Sequence, residues 1–452
     1  VSAALIRGDA LTIPLADQSV DLIVTSPPYF ALRSYTDACG TCGGHAPGPF
    51  TGPSESSTLA GNGHVGGGPK SKLLGVGTAD PDCPECDGSG RGHYPGQIGS
   101  EPTPAEFIDA LIGVTAECVR VLKPSGSLFV NLGDKYSGAQ AQNIGGENRA
   151  GDSARTWAQT NPANTGIRNK SLMGLPWRYA LRCIDDLDLI LRAEIIWSKP
   201  NGLPESVQDR VRRSHEQWFH FTLEPRYYSA VDEIREASAP ATGTALRFAE
   251  QGGTSGFKQN GDRGDEGRGN FVPSPLGKLP GSVWTIPTEP LRVPDHLPQH
   301  FAAFPSEWPR RIILGWSPSG ICTECGQGRR PVVERGELRH KWTAHDMSSY
   351  MGHRDNAGST LGMAYDNSII GESCACPTPT APTRPAVVLD PFAGTGTTVA
   401  VANHLGRHGV GLDLSADYLR LAKWRCQDPG LRAKVLRVDK PAPEVPGQMA
   451  LL

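Results

Sequence analysis

Eight of the eleven cysteines in this 452-residue chain stand in close pairs. Cys39 and Cys42, Cys83 and Cys86, and Cys322 and Cys325 each form a CxxC, and Cys374 and Cys376 form a CxC. A CxxC can supply half of a tetrahedral thiolate site. In a reducing compartment such pairs favour a metal over a disulfide. CGTCGG with CPECDGSG predicts one structural zinc held by Cys39, Cys42, Cys83 and Cys86. CTECGQ with CAC predicts a second, held by Cys322, Cys325, Cys374 and Cys376. Four thiolates leave no open position for a substrate, so the chemistry is structural. His45, His93, His345 and His353 are spare ligands in the same stretches. Cys118, Cys183 and Cys426 stand alone in core-like segments and read as buried thiols.

A second constellation is VVLDPFAGTGTT, Val387 to Thr398. It follows an apolar run and opens a helical pattern. Gly394 and Gly396 let the backbone approach a ligand where a side chain would clash. Glycines alone say little, since many such turns only pack a helix on a sheet. Here Asp390 precedes them, and the next apolar run, HGVGLDL, ends in Asp413, where a carboxylate can accept both hydroxyls of a ribose. The turn lacks the spacing and the lysine of a phosphate-cradling loop, which argues against ATP. A nucleoside with a small charged tail, S-adenosylmethionine, fits better. The opposite end of the chain carries TSPPYF, Thr25 to Phe30, at the mouth of the apolar run VDLIV. Two prolines cannot donate to a sheet ladder, so the strand stops there. Alone, PPY reads as readily as a strand terminator as a site.

The elements that must position these residues alternate. After the strand ending at TSPPY comes EPTPAEFIDALIGVTAECVRVLKPSG. Thr103 serves as N-cap, Pro104 suits the first turn and Glu106 completes a capping box. Phe107, Leu111, Val114 and Cys118 recur at helical spacing. KPSG ends this helix and SLFVNLGD reads as a strand. MGLPWRYALRCIDD reads as a helix, LDLILRAEIIWSKP as one or two strands, HEQWFHFTL as a strand and SVWTIP as a return to order. PSEWPRRIILGWS reads as a short helix opened by Ser306. Strands and helices in alternation predict an α/β fold with a Rossmann-like, doubly wound, mostly parallel sheet.

Between these elements lie Gly-, Pro- and Cys-rich stretches, consistent with 54 glycines and 39 prolines. The expected organisation is a core of residues 1–37, 95–234, 279–318 and 384–440. Residues 38–94 and 319–383 are expected to be zinc-binding insertions with little regular structure. Residues 235–278 form a variable region and 441–452 a tail. Residues 143–163 read as a mobile loop. No apolar run is long enough to span a membrane, and no charged-then-apolar leader opens the chain, so the expectation is a cytoplasmic protein. The net charge of −3 neither points to nor excludes a nucleic-acid partner.

TSPPY together with DPFAGTGTT resembles the amino-methyltransferases of DNA, and the order, SPPY first and the glycine turn last, resembles their permuted β class. EPTPAEFIDALIGVTAECVRVLKPSGSLFVNLGD, GLPWRYALRCIDDLDLILRAEIIWSKPNGLPESVQDRVRRSHEQWFHF and VWTIPTEPLRVPDHLPQHFAAFPSEWPRRII are similar to further segments of that family. The resemblance covers about two thirds of the chain and leaves the cysteine-bearing insertions outside it. It implies a methyltransferase core whose donor is S-adenosylmethionine and whose substrate is double-stranded DNA, with target recognition at the position of residues 235–278. Asp9, Phe304, Pro305, Asp390, Pro391, Phe392, Gly394, Gly396, Thr397 and Asp413 match cofactor-binding positions, although Asp9 reads equally as a strand-end turn.

In that setting Ser26, Pro27, Pro28 and Tyr29 become catalytic. The exocyclic amine of a base is a poor nucleophile because its lone pair is delocalised into the ring. Ser26 Oγ and the Pro27 carbonyl can accept its two N–H groups. The prolines hold that carbonyl in a fixed direction, and Tyr29 offers a stacking face for a flipped base. Ser in the first position goes with cytosine N4 more often than adenine N6, so cytosine N4 is expected and adenine N6 is the alternative. A methyltransferase acting on RNA or a protein glutamine, and a zinc protein that binds DNA without catalysis, are weaker readings. Arg210, Arg212 and Arg213, and Arg329, Arg330, Arg335, Arg339 and Lys341, form two basic clusters that could meet phosphates or simply face solvent. No nuclease-like constellation appears, so any restriction nuclease working with this chain is a separate protein. The expected assembly is a monomer or a homodimer.

Overall fold

A computed structural model describes residues 3–30, 97–138, 165–202, 205, 207–236, 278–291, 293–294, 304–340, 364–376 and 381–439. Two compact units emerge. The first comprises Val1–Ser229, Ser282–Ile321 and Thr383–Leu452; the second comprises Ala230–Gly281 and Cys322–Pro382.

The first unit is built on strands β1 (Ala4–Arg7), β2 (Val20–Thr25), β3 (Leu122–Leu132), β4 (Ile190–Ser198), β5 (His215–Thr222) and β6 (Val283–Thr285). Beyond the two-residue strands β7 (Ile321–Cys322) and β10 (Thr383–Arg384), the sheet is completed by β11 (Val387–Asp390) and β12 (His408–Asp413). The order is β1-β12-β11-β2-β3-β5-β4-β6. β5 runs antiparallel to both its neighbours, and the remaining pairings are parallel. The Rossmann-like, mostly parallel architecture is therefore the one the alternation of elements predicts. Periodicity does not show that β5 is reversed.

All six residues of β2 are buried, as a central strand covered on both faces requires. It contains an acid, Asp21, which would be costly there without partners. Asp21 accepts from the Val387 N–H at 2.9 Å and pairs with Lys123 at 2.5 Å. It thereby ties β2 to both neighbouring strands.

Helix α1 spans Pro104–Val121. Thr103 Oγ1 accepts from the Glu106 N–H, and Glu106 accepts from the Thr103 N–H at 3.0 Å, which is the predicted capping box. The helix buries Phe107, Ile108, Leu111, Val114, Cys118 and Val121. Each fully buried side chain of this kind is worth roughly 1.5–3 kcal/mol over its exposed state. KPSG does not separate helix from strand as expected: β3 starts at Leu122 and absorbs it through an irregular register against β2 between Val20 and Leu22.

Helix α2 (Leu175–Leu187) begins where Asp134, at the end of β3, accepts the Gly174 and Leu175 N–H groups, both at 3.1 Å. Helix α3 is Glu307–Trp316. Ser306 stands at its N-cap position but makes no side-chain cap. Its N–H and its hydroxyl both donate to Glu289, at 3.1 and 3.0 Å, so an acid distant in sequence does what a local cap was expected to do. Helices α4 (Thr397–His404), α5 (Ala416–Gln427) and α6 (Pro429–Leu436) follow β11 and β12. No helix of the described residues is long and apolar enough to cross a membrane.

The second unit departs from the sequence reading. Residues 319–383 were expected to be irregular, yet β8 (Arg330–His340) and β9 (Ala364–Ser373) pair antiparallel as a ribbon. Irregular registers recur along the ribbon, which is why no clean alternation marks it in sequence. Of the stretch from Ala230, only a 3-10 turn, Val231–Ile234, and the Glu236–Lys278 bridge are described. The variable region, the expected mobile loop at 143–163 and the first cysteine insertion lie outside the described residues, apart from the ends of the variable region.

Candidate active site and cysteine centre

β11 and β2 lie side by side in parallel, with Val388 opposite Leu22 and Leu389 opposite Ile23. Both run toward the same sheet edge, so DPFAGTG and TSPPY emerge there together. Thr25 Oγ1 donates to Asp390 Oδ1 at 2.7 Å, joining residues 365 positions apart. Thr398 Oγ1 donates to the Val24 carbonyl at 3.1 Å. From this junction β12 and β1 extend one way and β3 the other. Such a switch point, at the carboxyl ends of parallel strands, is where open α/β sheets bind ligands.

Asp390 is buried, and its Oδ2 has no hydrogen-bond partner among the described residues. Burial pushes its carboxyl up to about 6, against the pull of the Thr25 hydroxyl and the Phe392 N–H. Pro391 is buried and Phe392 is half-buried against the core. Gly394 and Gly396 both have left-handed φ, +48° and +72°. A Cβ at Gly396 would stand 2.4 Å from the Ala422 Cβ, so α5 can pack on this turn only over a glycine. Asp413 caps the other side. Its Oδ2 accepts from the Gly394 N–H and its Oδ1 from the Ser415 N–H, both at 2.8 Å.

β1 lies beside β12, and the Gly8 N–H donates to the Asp413 carbonyl at 3.1 Å. Asp9 follows, exposed, with its Oδ1 accepting from the Leu11 N–H at 2.9 Å. That is the strand-end turn its position also suggested. Phe304 packs edge-on against Trp218 at 5.8 Å, and Pro305 is buried at the start of α3.

Ser26 and Tyr29 are half-buried, whereas Pro27 is buried. Their partners are residues that sequence reasoning missed. Asn131 Nδ2 donates to the Gln217 carbonyl at 3.0 Å, which turns Oδ1 toward the PPY loop. Ser26 Oγ donates to that oxygen at 3.3 Å, and the Tyr29 hydroxyl lies 2.8 Å from it. The same hydroxyl lies 2.8 Å from Glu216 Oε2. Glu216 pairs with Lys199, whose ammonium sits 4.1 Å from the centre of the Trp197 ring. Beneath the tyrosine is Gly133, where a Cβ would meet the ring at 2.6 Å. Asn131 and Glu216 lie on β3 and β5, which meet only through sheet pairing, so no local motif announces them. The one available signal was polar residues on otherwise apolar strands.

The first basic cluster folds back on the chain. Arg210 pairs with Glu205 and lies 3.8 Å from the centre of the Tyr136 ring, Arg212 donates to the Gly202 carbonyl, and Arg213 donates to Gln217. In the second unit Arg329 donates to the Ala381 carbonyl and Arg330 is exposed. Lys341 lies outside the described residues, and of Arg335 and Arg339 only the backbone is placed.

Also in the second unit, the sulfurs of Cys322, Cys325, Cys374 and Cys376 all lie within 4.8 Å of one another. Cys322 and Cys376 approach to 3.6 Å. Ligands of a tetrahedral zinc, at about 2.3 Å from the metal, stand about 3.8 Å apart, so the donor set fits that ion. The Cys322 N–H donates to the Gln327 carbonyl, and Gly326 turns with φ +70°. Backbone N–H groups of Cys325 and Glu324 bring the Cys322 thiol down to about 6, which favours a ligating thiolate. Hydrogen bonding to Cys325 and then Cys322 pushes the Cys376 thiol up instead. The other predicted set, Cys39, Cys42, Cys83 and Cys86, lies outside the described residues.

A family model for DNA methylase (N6_N4_Mtase) matches residues 20–322 and 382–424, well over half the chain. The chain belongs to that family. It is a DNA methyltransferase of the N6/N4 type, as the motif order implied. The chain is similar to the Type II methyltransferase M.XycI of Xanthomonas campestris pv. cyanopsidis, 26% identical over 438 residues, covering 96% of this chain and 91% of the relative. It is also similar to the Type II methyltransferase M.SmaI of Serratia marcescens, 28% identical over 331 residues, covering 73% and 77%. Among solved structures, PvuII DNA methyltransferase (cytosine-N4-specific) aligns with a TM-score of 0.46 at 12% identity, covering 97% of this chain and 91% of that one.

Proposed function

We propose that this methyltransferase transfers a methyl group from S-adenosylmethionine to the N4 amine of a cytosine flipped out of double-stranded DNA. The observation that carries the reading is the side-by-side emergence of TSPPY and DPFAGTG from β2 and β11, locked by the Thr25–Asp390 hydrogen bond. S-adenosylmethionine supplies an electrophilic methyl on a sulfonium when bound over the glycine turn. The Asp413 carboxylate and the glycine backbone then face the nucleoside. Asp390, with Pro391, Phe392, Thr397, Phe304 and Pro305, would hold the donor's charged tail, and Asp9 its adenine.

On the acceptor side, Asn131 takes the Ser26 hydroxyl proton in a hydrogen bond. That leaves the serine lone pairs free to accept one N–H of the amine. The Pro27 carbonyl accepts the other, held in direction by Pro27 and Pro28. The amine nitrogen then rehybridises and presents its lone pair. Tyr29, fixed at its hydroxyl by Asn131 and Glu216 and beneath its ring by Gly133, offers the stacking face. Positioning and oriented dipoles account for the acceleration. Ser26, a neutral side chain where the alternative motif carries an acid, favours cytosine over adenine.

The relatives' Type II names support a role in restriction-modification; any nuclease working with this chain would be a separate protein. The cysteine centre of the second unit holds a structural zinc. Expression in a host followed by modification-sensitive sequencing tests the reading. N4-methylcytosine at a defined site is expected. Ser26→Ala should lower the rate on the order of 10²-fold, as loss of one preorganised hydrogen-bonding group does, and Tyr29→Ala should abolish detectable marks. N6-methyladenine would overturn the base assignment, and undiminished methylation in both variants would overturn the site.

A further inference from the structure

Arg425, near the end of α5, is 5% exposed. From one nitrogen, Nη1, it reaches the Thr395 carbonyl at 3.2 Å, Thr395 Oγ1 at 2.7 Å and Thr397 Oγ1 at 2.6 Å. All three acceptors belong to the glycine turn. One helical turn earlier on α5, Ala422 lies under Gly396. Residues three apart share a helix face, so a single face of α5 both supports and grips the turn. Asp413 grips the opposite end through the Gly394 N–H. The turn is thus held at both ends by side chains that stay behind it.

Burial pulls the guanidinium down to about 10, so it stays charged at neutral pH and donates to the turn throughout.

Accordingly, we infer that Arg425 is a positioning residue for the methyl donor: from behind, it fixes the Gly394–Thr397 turn in a binding-ready arrangement. The inference rests on the donor reading above. Replacing the arginine should leave a folded protein whose turn is no longer set. The exchange leaves the buried Thr395 and Thr397 oxygens without this donor, which lowers stability, so melting is recorded beside binding.

The test is calorimetric binding of S-adenosylmethionine to the full chain, alongside duplex-DNA affinity and thermal melting. For Arg425→Met we expect donor affinity and donor KM to worsen at least tenfold. DNA affinity and kcat at saturating donor should stay within about threefold. Arg425→Lys, which keeps the charge and one donor nitrogen, should recover part of the loss. Should the methionine variant not fold, Arg425→Lys and Thr395→Val, which removes an acceptor of Arg425 outside the donor-binding set, decide by the same titration, each with an expected loss of about threefold or more. A parent protein that binds donor while these variants bind it within twofold overturns the role of Arg425 and leaves the donor reading standing. A parent that binds no donor overturns the donor reading and the inference with it.

Discussion

Asp390 ties the donor side of the site to pH. Its carboxyl is buried and raised to about 6, against an ordinary value near 3.8. In the donor-free protein the native state therefore keeps a proton that the unfolded chain has lost. The stability this contributes is full below about pH 4 and disappears as pH rises through 6. Donor binding has the opposite sign, because an ionised Asp390 favours the cationic tail. Calorimetric titration should show donor affinity rising between pH 5 and 7, and Asp390→Asn should flatten that rise while binding weakly throughout. A parent profile as flat as the variant's would remove Asp390 from the donor site. At this scale the sequence was legible where chemistry is concentrated in a motif, as in DPFAGTG. It was not legible at Asn131 and Glu216, whose meaning depends on β3 lying against β5 and on Tyr29 reaching both.

Among the elements, α1 was readable end to end because its signals are local. The capping box sits within four residues and its apolar face repeats at helical spacing. That locality yields a direct prediction. Thr103→Ala removes both the acceptor for the Glu106 N–H and the hydroxyl that donates to the Glu106 carboxylate. A loss of about 1 kcal/mol in chemical denaturation is expected, with donor affinity unchanged because α1 contributes no candidate donor-binding residue. Elements defined by partners were less legible. Helix α3 takes its cap from Glu289 and not from Ser306, and the reversal of β5 follows from pairing on both edges. The ribbon β8–β9 escaped a periodicity reading because its register shifts repeatedly, so apolar residues do not alternate cleanly along either strand.

For the whole molecule the cysteines divide the labour. Every candidate residue for donor and base lies in the first unit, whereas Cys322, Cys325, Cys374 and Cys376 bracket the ribbon of the second. Cys325 lies just before β8 and Cys374 directly follows β9, so a metal there would clamp the base of a two-stranded ribbon. An isolated pair of strands is marginal in water, and a structural zinc supplies folding free energy outright. Elemental analysis of the purified chain should therefore find zinc, and Cys322→Ser should remove one equivalent. Its ribbon should become a site of rapid limited proteolysis between residues 322 and 382, while donor affinity, measured by calorimetry, stays within twofold. Chelator treatment of the parent should reproduce the cleavage pattern, and added zinc should restore protection. Because zinc binding displaces thiol protons, zinc affinity should weaken as pH falls. Unchanged zinc content in Cys322→Ser, or a ribbon equally resistant with and without metal, would show that the four sulfurs converge without serving as the clamp.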